Sequence, residues 1–283
     1  MLSDGIKEIA FNLGSKKIAA LTNGNDQAPL LLCLHGWLDN AASFQPLMPY
    51  LADYHVIAID WPGHGFSSHR SEDAHYHFID WIYDLVQLFK LQQWSNVNIV
   101  AHSMGGMIAS AFVAAFPERV KSLSLIDSIG LLALNSEKTT TQLRKGMLSR
   151  LSRRDSSIRY HPSIASAIEA RTLVSDLSEK NAQLIVNRGL EATELGYKWR
   201  SDSRLRSTSP YRFTLPQAQQ IITDVKLPTQ LLYGNKGMDM VTVGLKDFRK
   251  LFQSLEVHEL VGGHHVHMEQ PELMAKLIIK FVN

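Results

Sequence analysis

The chain carries one cysteine in 283 residues, Cys33, set inside the apolar run Leu30-Leu31-Leu32-Cys33-Leu34. No disulfide can close within it, and a reducing, cytoplasmic setting is the expectation. The opening Met1-Leu2-Ser3-Asp4-Gly5 has neither a basic start nor an apolar core, so no signal peptide is expected. No apolar run approaches ~20 residues, which argues against stable membrane insertion through a helix. Internal repeats and low-complexity tracts are missing too. Charge is nearly balanced, 29 Lys and Arg against 27 Asp and Glu, and the basic residues have neither interleaved aromatics nor a binding motif, so nucleic acid is not an expected partner. What remains is a chain that is 45% hydrophobic and long enough to bury a large core as a single α/β domain.

Apolar segments alternate with helical ones. Ile6 to Leu13 and Ile18 to Leu21 read as an opening hairpin, and runs near Leu30, Val56, Val97, Val120, Thr229 and Leu255 read as parallel strands separated by helices. That makes a mostly parallel, eight-stranded sheet. The interval before Thr229 is too long for one crossover. Residues 131–215 read as several amphipathic helices, for example Ser163 to Leu173 and Glu179 to Arg188, inserted as a lid over the sheet's C-terminal edge. The core is then 1–130 together with 216–283. The insertion holds 15 Lys and Arg against 8 Asp and Glu, with Arg150, Arg153 and Arg154 in one group and Arg200, Arg204, Arg206 and Arg212 in another. Two readings of this surplus stand: solvated helix faces, or a pull on an anionic substrate, one arginine pairing its carboxylate.

The most informative stretch is Asn98-Ile99-Val100-Ala101-His102-Ser103-Met104-Gly105-Gly106. An apolar strand ends in a serine, and a helix of small residues turns sharply away. This is the small-x-Ser-x-Gly nucleophile elbow, with Ala101 in the first small position. Side chains two residues either side of Ser103 would collide, so both are small, and the helix start leaves backbone N–H groups free to meet developing negative charge. Leu30–Leu34 runs into His35-Gly36-Trp37, the place for a second such donor, so the N–H groups of Trp37 and Met104 are the expected oxyanion pair. A late strand, Leu255 to Leu260, leads to Gly262-Gly263-His264-His265-Val266-His267-Met268-Glu269-Gln270-Pro271, from which a histidine can reach back to Ser103.

Over nearly its whole length the chain resembles the α/β-hydrolases. Besides the elbow, Asp60-Trp61-Pro62-Gly63-His64-Gly65-Phe66-Ser67 is similar to the D-x-x-G-x-G-x-S turn after their fourth strand. His35-Gly36-Trp37-Leu38-Asp39-Asn40, Asn187-Arg188-Gly189 and Gly263-His264 through His267-Met268 resemble, more narrowly, the serine hydrolase-like protein group. The resemblance implies a Ser-His-Asp triad acting on an ester or related acyl bond through an acyl-enzyme, without a cofactor. Related chains read G-H-x-x-h-x-E-x-P at the histidine, which selects His264, with His265 as the alternative. Most relatives carry the acid after their seventh strand as G-x-x-D. Here Gly237 stands in that place, leaving Asp127, which closes the strand Leu123 to Ile126, or Asp239. Asp127 is favoured because it needs no irregular loop. His264, His265, His267 and Glu269 also invite a metal reading, but no cysteine pair or H-E-x-x-H helix accompanies them, so no metal is expected and His267 is assigned to packing. His35 and His102 are assigned to holding loops. Serine triads of this design also serve perhydrolases, lactonases and C–C bond hydrolases, and a non-catalytic ligand sensor on the same scaffold is the alternative of a different class.

Overall fold

The structure, a computed structural model, describes residues 5–154 and 158–283, with only the backbone of Arg154. Met1–Asp4 of the expected leaderless start and the Arg154 side chain of the basic group lie outside the described residues. Along the chain, strands β1 (Lys7–Leu13), β2 (Lys16–Thr22), β3 (Leu30–Leu34) and β4 (His55–Ile59) precede helix α1 (Phe78–Gln92). Strand β5 (Val97–His102), helix α2 (Met104–Ala115) and strand β6 (Val120–Ile126) follow. Next come helices α3 (Thr139–Arg154), α4 (Ile164–Thr172) and α5 (Glu179–Gly189), then strands β7 (Leu190–Thr193) and β8 (Gly196–Trp199). The chain closes with α6 (Leu215–Thr223), β9 (Thr229–Gly234), α7 (Asp239–Phe248), β10 (Leu255–Leu260), α8 (Val266–Glu269) and α9 (Pro271–Val282).

Eight strands form one sheet in the order β1-β2-β4-β3-β5-β6-β9-β10, antiparallel at β1–β2 and β2–β4 and parallel elsewhere. The central strands are apolar on both faces because helices cover both faces. Leu32, Leu34, Ile99 and Leu125 pack with Trp81, Ile108, Phe112 and Ile222 on one side. Leu31, Cys33, Val100 and Leu232, one residue out of phase, pack with Phe44, Leu51, Met274 and Ile278 on the other. The period of two in the sequence thus sorts into two cores, and burial pushes the Cys33 thiol far above its ordinary value.

Residues 131–215 hold α4 and α5 close to where helical periodicity places them, and α3 ahead of them. They also hold what the expectation of helices alone omits, the two-stranded β7–β8 hairpin. Its strands are four residues each, too short to show a period, and the positive φ of Gly196 (+112°) is its one local signal. The two ends of the segment meet: Ala133 and Phe213 form a parallel bridge, and the Leu134 N–H donates to the Phe213 carbonyl at 2.8 Å. A small separate core of Ala167, Ile168, Ala182, Ile185 and Val186 fills the α4–α5 unit. Arg188, at the end of α5, then reaches back to the sheet. Its guanidinium binds the fully buried Asp60 carboxylate at 2.8–3.0 Å and also pairs with Glu8 of β1.

Candidate active site

β5 ends at His102 and α2 begins at Met104, so Ser103 alone makes the turn, at φ +52° and ψ −119°. A non-glycine residue held there stores on the order of 1–3 kcal/mol. The surroundings fix it: its N–H donates to the Ile126 carbonyl (3.0 Å), and its carbonyl accepts from the N–H groups of Gly106 (2.9 Å) and Met107 (3.2 Å). The smallness of the flanking residue has a direct cause, since a Cβ on Gly105 would lie 2.3 Å from the Leu34 carbonyl oxygen.

His264 Nε2 lies 3.0 Å from Ser103 Oγ, and its Nδ1 lies 2.6 Å from Asp127 Oδ2. The Asp127 carboxylate also accepts from the N–H groups of Gly234 (3.1 Å) and Met238 (3.3 Å). With both atoms of the imidazole thus engaged, Nδ1–H donates to the carboxylate and Nε2 faces the hydroxyl as an acceptor. Asp239 opens α7 and makes no hydrogen bond with His264 among the described residues. Position 237 explains the arrangement. A Cβ there would sit 2.3 Å from Asp127 Oδ1, so the Asp127 carboxylate fills the space that a side chain after β9 would occupy.

The loop after β3 is held from below. His35 Nε2 accepts from the Trp61 N–H (3.0 Å), and the Trp61 indole N–H donates to the His35 carbonyl (3.0 Å). Leu38, at φ +62°, donates its N–H to His64 Nε2 at 3.2 Å. The Trp37 indole donates to the Leu205 carbonyl at 3.1 Å. The backbone N–H groups of Trp37 and Met104 take no hydrogen-bond partner among the described residues. Burial lowers the His35 and His64 pKa values, so both rings are neutral brackets for this loop.

His265 points elsewhere than its neighbour. Its Nδ1–H meets Asp176 Oδ1 at 2.5 Å, its Nε2–H faces Asp39 Oδ2 at 3.3 Å, and its own N–H donates to Asp176 Oδ2 at 2.9 Å. Burial alone would lower its pKa, but the Asp39 and Asp176 carboxylates outweigh this and raise it to about 9. Arg171 holds the other Asp39 oxygen at 2.5 Å. His102 donates Nε2–H to the His264 carbonyl at 2.9 Å. His267 is fully buried against Phe44 and His102, makes no hydrogen bond among the described residues, and burial followed by the His265 charge lowers its pKa to about 3. The metal-like group therefore differs from the one suggested by the sequence: Asp39, His102 and His265 each bring a ligand atom within 4.8 Å of the others. Two carboxylates, Asp39 and Asp176, already balance the Arg171 and His265 cations there, so this cluster needs no added cation for neutrality. Asp39 and Asp176 are the site residues that sequence reasoning did not single out as charge partners; Asp176 lies 89 positions from His265, and no local spacing announces such a pair.

Ser103, His264 and Trp37 open into a cavity of about 1330 Å³ whose remaining wall comes largely from residues 153–206. The fold has counterparts among known proteins. The family model for the alpha/beta hydrolase fold matches residues 29–271. A serine hydrolase-like protein of Danio rerio is 30% identical over 268 residues, covering 89% of this chain and 81% of its own. Serine hydrolase-like protein 2 of Homo sapiens is 30% identical over 299 residues, covering 98% and 94%. Among solved structures, a hypothetical protein of Pseudomonas aeruginosa PAO1 is 32% identical, with a TM-score of 0.90 over 97% of both chains. A fold match across this span, joined to relatives at this identity and coverage, means that the chain belongs to the α/β-hydrolase fold family, in the group of the serine hydrolase-like proteins.

Proposed function

We propose that the protein is a carboxylic ester hydrolase, or acts on a related acyl bond, with Ser103 as nucleophile, His264 as general base and Asp127 as the acid of the triad. The observation that carries this reading is the unbroken chain Asp127–His264–Ser103, at 2.6 and 3.0 Å, ending on a serine held in a strained turn. His264 Nε2 takes the Ser103 proton as Oγ attacks the acyl carbon. Asp127 keeps the proton on Nδ1 and stabilises the imidazolium that forms. The Trp37 and Met104 N–H groups bind the oxyanion, and His264 returns the proton to the leaving group. Water then releases the acyl group by the same transfers. Residues 131–215 act as a lid over 1–130 and 216–283, a reading supported by their joined ends and by their share of the cavity wall.

The test combines labelling with turnover. Wild type is expected to react stoichiometrically with a fluorophosphonate and to hydrolyse 4-nitrophenyl esters. Ser103→Ala loses both, Asp127→Asn loses about 10³–10⁴ in kcat/KM, and Asp239→Asn stays near wild type. Loss of activity in Asp239→Asn with retention in Asp127→Asn would move the acid to α7. Tight ligand binding without labelling or turnover would replace the hydrolase with a sensor.

A further inference from the structure

The charged residues around the cavity do not balance locally. Among the described residues all four lining carboxylates are engaged: Asp39 by His265 and Arg171, Asp176 by His265, Asp202 by Arg204 (2.6 Å) and Tyr76 (2.9 Å), and Glu191 by Lys198 (3.4 Å). None is left for Arg206, which lines the cavity and forms no ion pair or hydrogen bond through its guanidinium among the described residues. Arg153, Arg171 and Arg206, from three elements, line the same cavity, and burial, then the charges of the other two, lower the Arg206 pKa. Arg171 still has an Nε–H with no hydrogen-bond partner among the described residues. Both Arg171 and Arg206 are tied to the loop beside Ser103. Arg171 grips Asp39, and Leu205, next to Arg206, accepts from the Trp37 indole at 3.1 Å. Arg206 is left without a counter-charge among the described residues beside two like charges, and a ligand bringing that charge relieves the repulsion. The planar fork of arginine suits carboxylate and phosphate oxygens alike.

We propose that Arg206, with Arg171 beside it, forms an anion-holding subsite next to the Ser103 loop, so that the substrate is an acyl compound bearing a carboxylate or phosphate group. The substrate class rests on the hydrolase reading above; the subsite does not. Calorimetric titration at low ionic strength with glutarate and with phenyl phosphate reads the subsite without turnover. Wild type binds at least one probe, and the preferred probe distinguishes carboxylate from phosphate. Arg206→Gln weakens that binding at least tenfold, while Arg212→Gln, exposed and away from the cavity, stays within twofold. In a second measurement, the preference for mono-4-nitrophenyl glutarate over 4-nitrophenyl butyrate falls at least tenfold in Arg206→Gln, through KM. Failure of wild type to bind either probe, or equal binding by wild type and Arg206→Gln, overturns the subsite. Arg206-dependent binding with no ester turned over would keep the subsite and overturn the hydrolase.

Discussion

Exchanging the acid's position tests the site more sharply than removing it. Asp127 and Gly237 occupy one space from two directions: a Cβ at 237 would lie 2.3 Å from one Asp127 oxygen and 2.7 Å from the other. Gly237→Asp alone therefore forces a steric overlap and sets two carboxylates about 3 Å apart. At an effective dielectric constant of 20 that repulsion is about 5 kcal/mol, enough to unseat the loop or neutralise one acid. Asp127→Gly empties the space, and glycine suits the backbone there, which has φ +43°. It leaves His264 without a partner for Nδ1, a loss of about 10³–10⁴ in kcat/KM. The double variant Asp127→Gly/Gly237→Asp should place a carboxylate in the vacated volume from the β9 side, the place that the resemblance to the α/β-hydrolases implies for it. It should recover at least tenfold over Asp127→Gly, read as kcat/KM on 4-nitrophenyl butyrate alongside a melting curve. A double variant that melts like wild type yet is no more active than Asp127→Gly would refute the equivalence of the two positions.

Two further outcomes follow from the charged links between segments. The pKa of His265 rises from 6.5 unfolded to about 9 folded, so its stabilisation is complete below about pH 6.5 and is lost as pH rises through 9. The full shift corresponds to about 3 kcal/mol; urea unfolding of wild type should show this decline, and its difference from His265→Gln should shrink between pH 6 and 9.5. Arg188→Met leaves Asp60 buried without its cation and should cost about 3–5 kcal/mol in urea unfolding; a loss under 1 kcal/mol would mean that the Ala41 and Phe66 N–H groups suffice for that carboxylate.

Much of this was legible because the informative signals are local. The elbow, the D-x-x-G-x-G-x-S turn and the strand spacing each occupy a few consecutive residues, and backbone sterics force their residue types. The contact of Asp127 with His264 was legible for a related reason: Asp127 closes a regular strand, one residue past Ile126, which pairs with His102. The charged contacts were not. Asp39–His265 spans 226 positions and Asp60–Arg188 spans 128, and nothing in either neighbourhood specifies the partner. The β7–β8 hairpin escaped because four-residue strands carry no measurable period, and the fate of the basic surplus depended on which carboxylates the fold brings near.

The pairing of His102 with Ile126 has a consequence for how freely this scaffold can change. Ser103 and Asp127 each stand one step beyond paired residues on neighbouring strands, and the Ser103 N–H is bonded to Ile126 itself. Ser103 and Asp127, the proposed nucleophile and acid, are thus spaced by the sheet's own ladder, within one compact β5–α2–β6 unit. The loop after β9 and the whole of 131–215 lie outside that unit. Grafting a different segment between the Ala133–Phe213 bridge would alter what reaches the serine while leaving that spacing intact, whereas a longer turn after β9 would loosen the Gly234 and Met238 N–H groups from the Asp127 carboxylate.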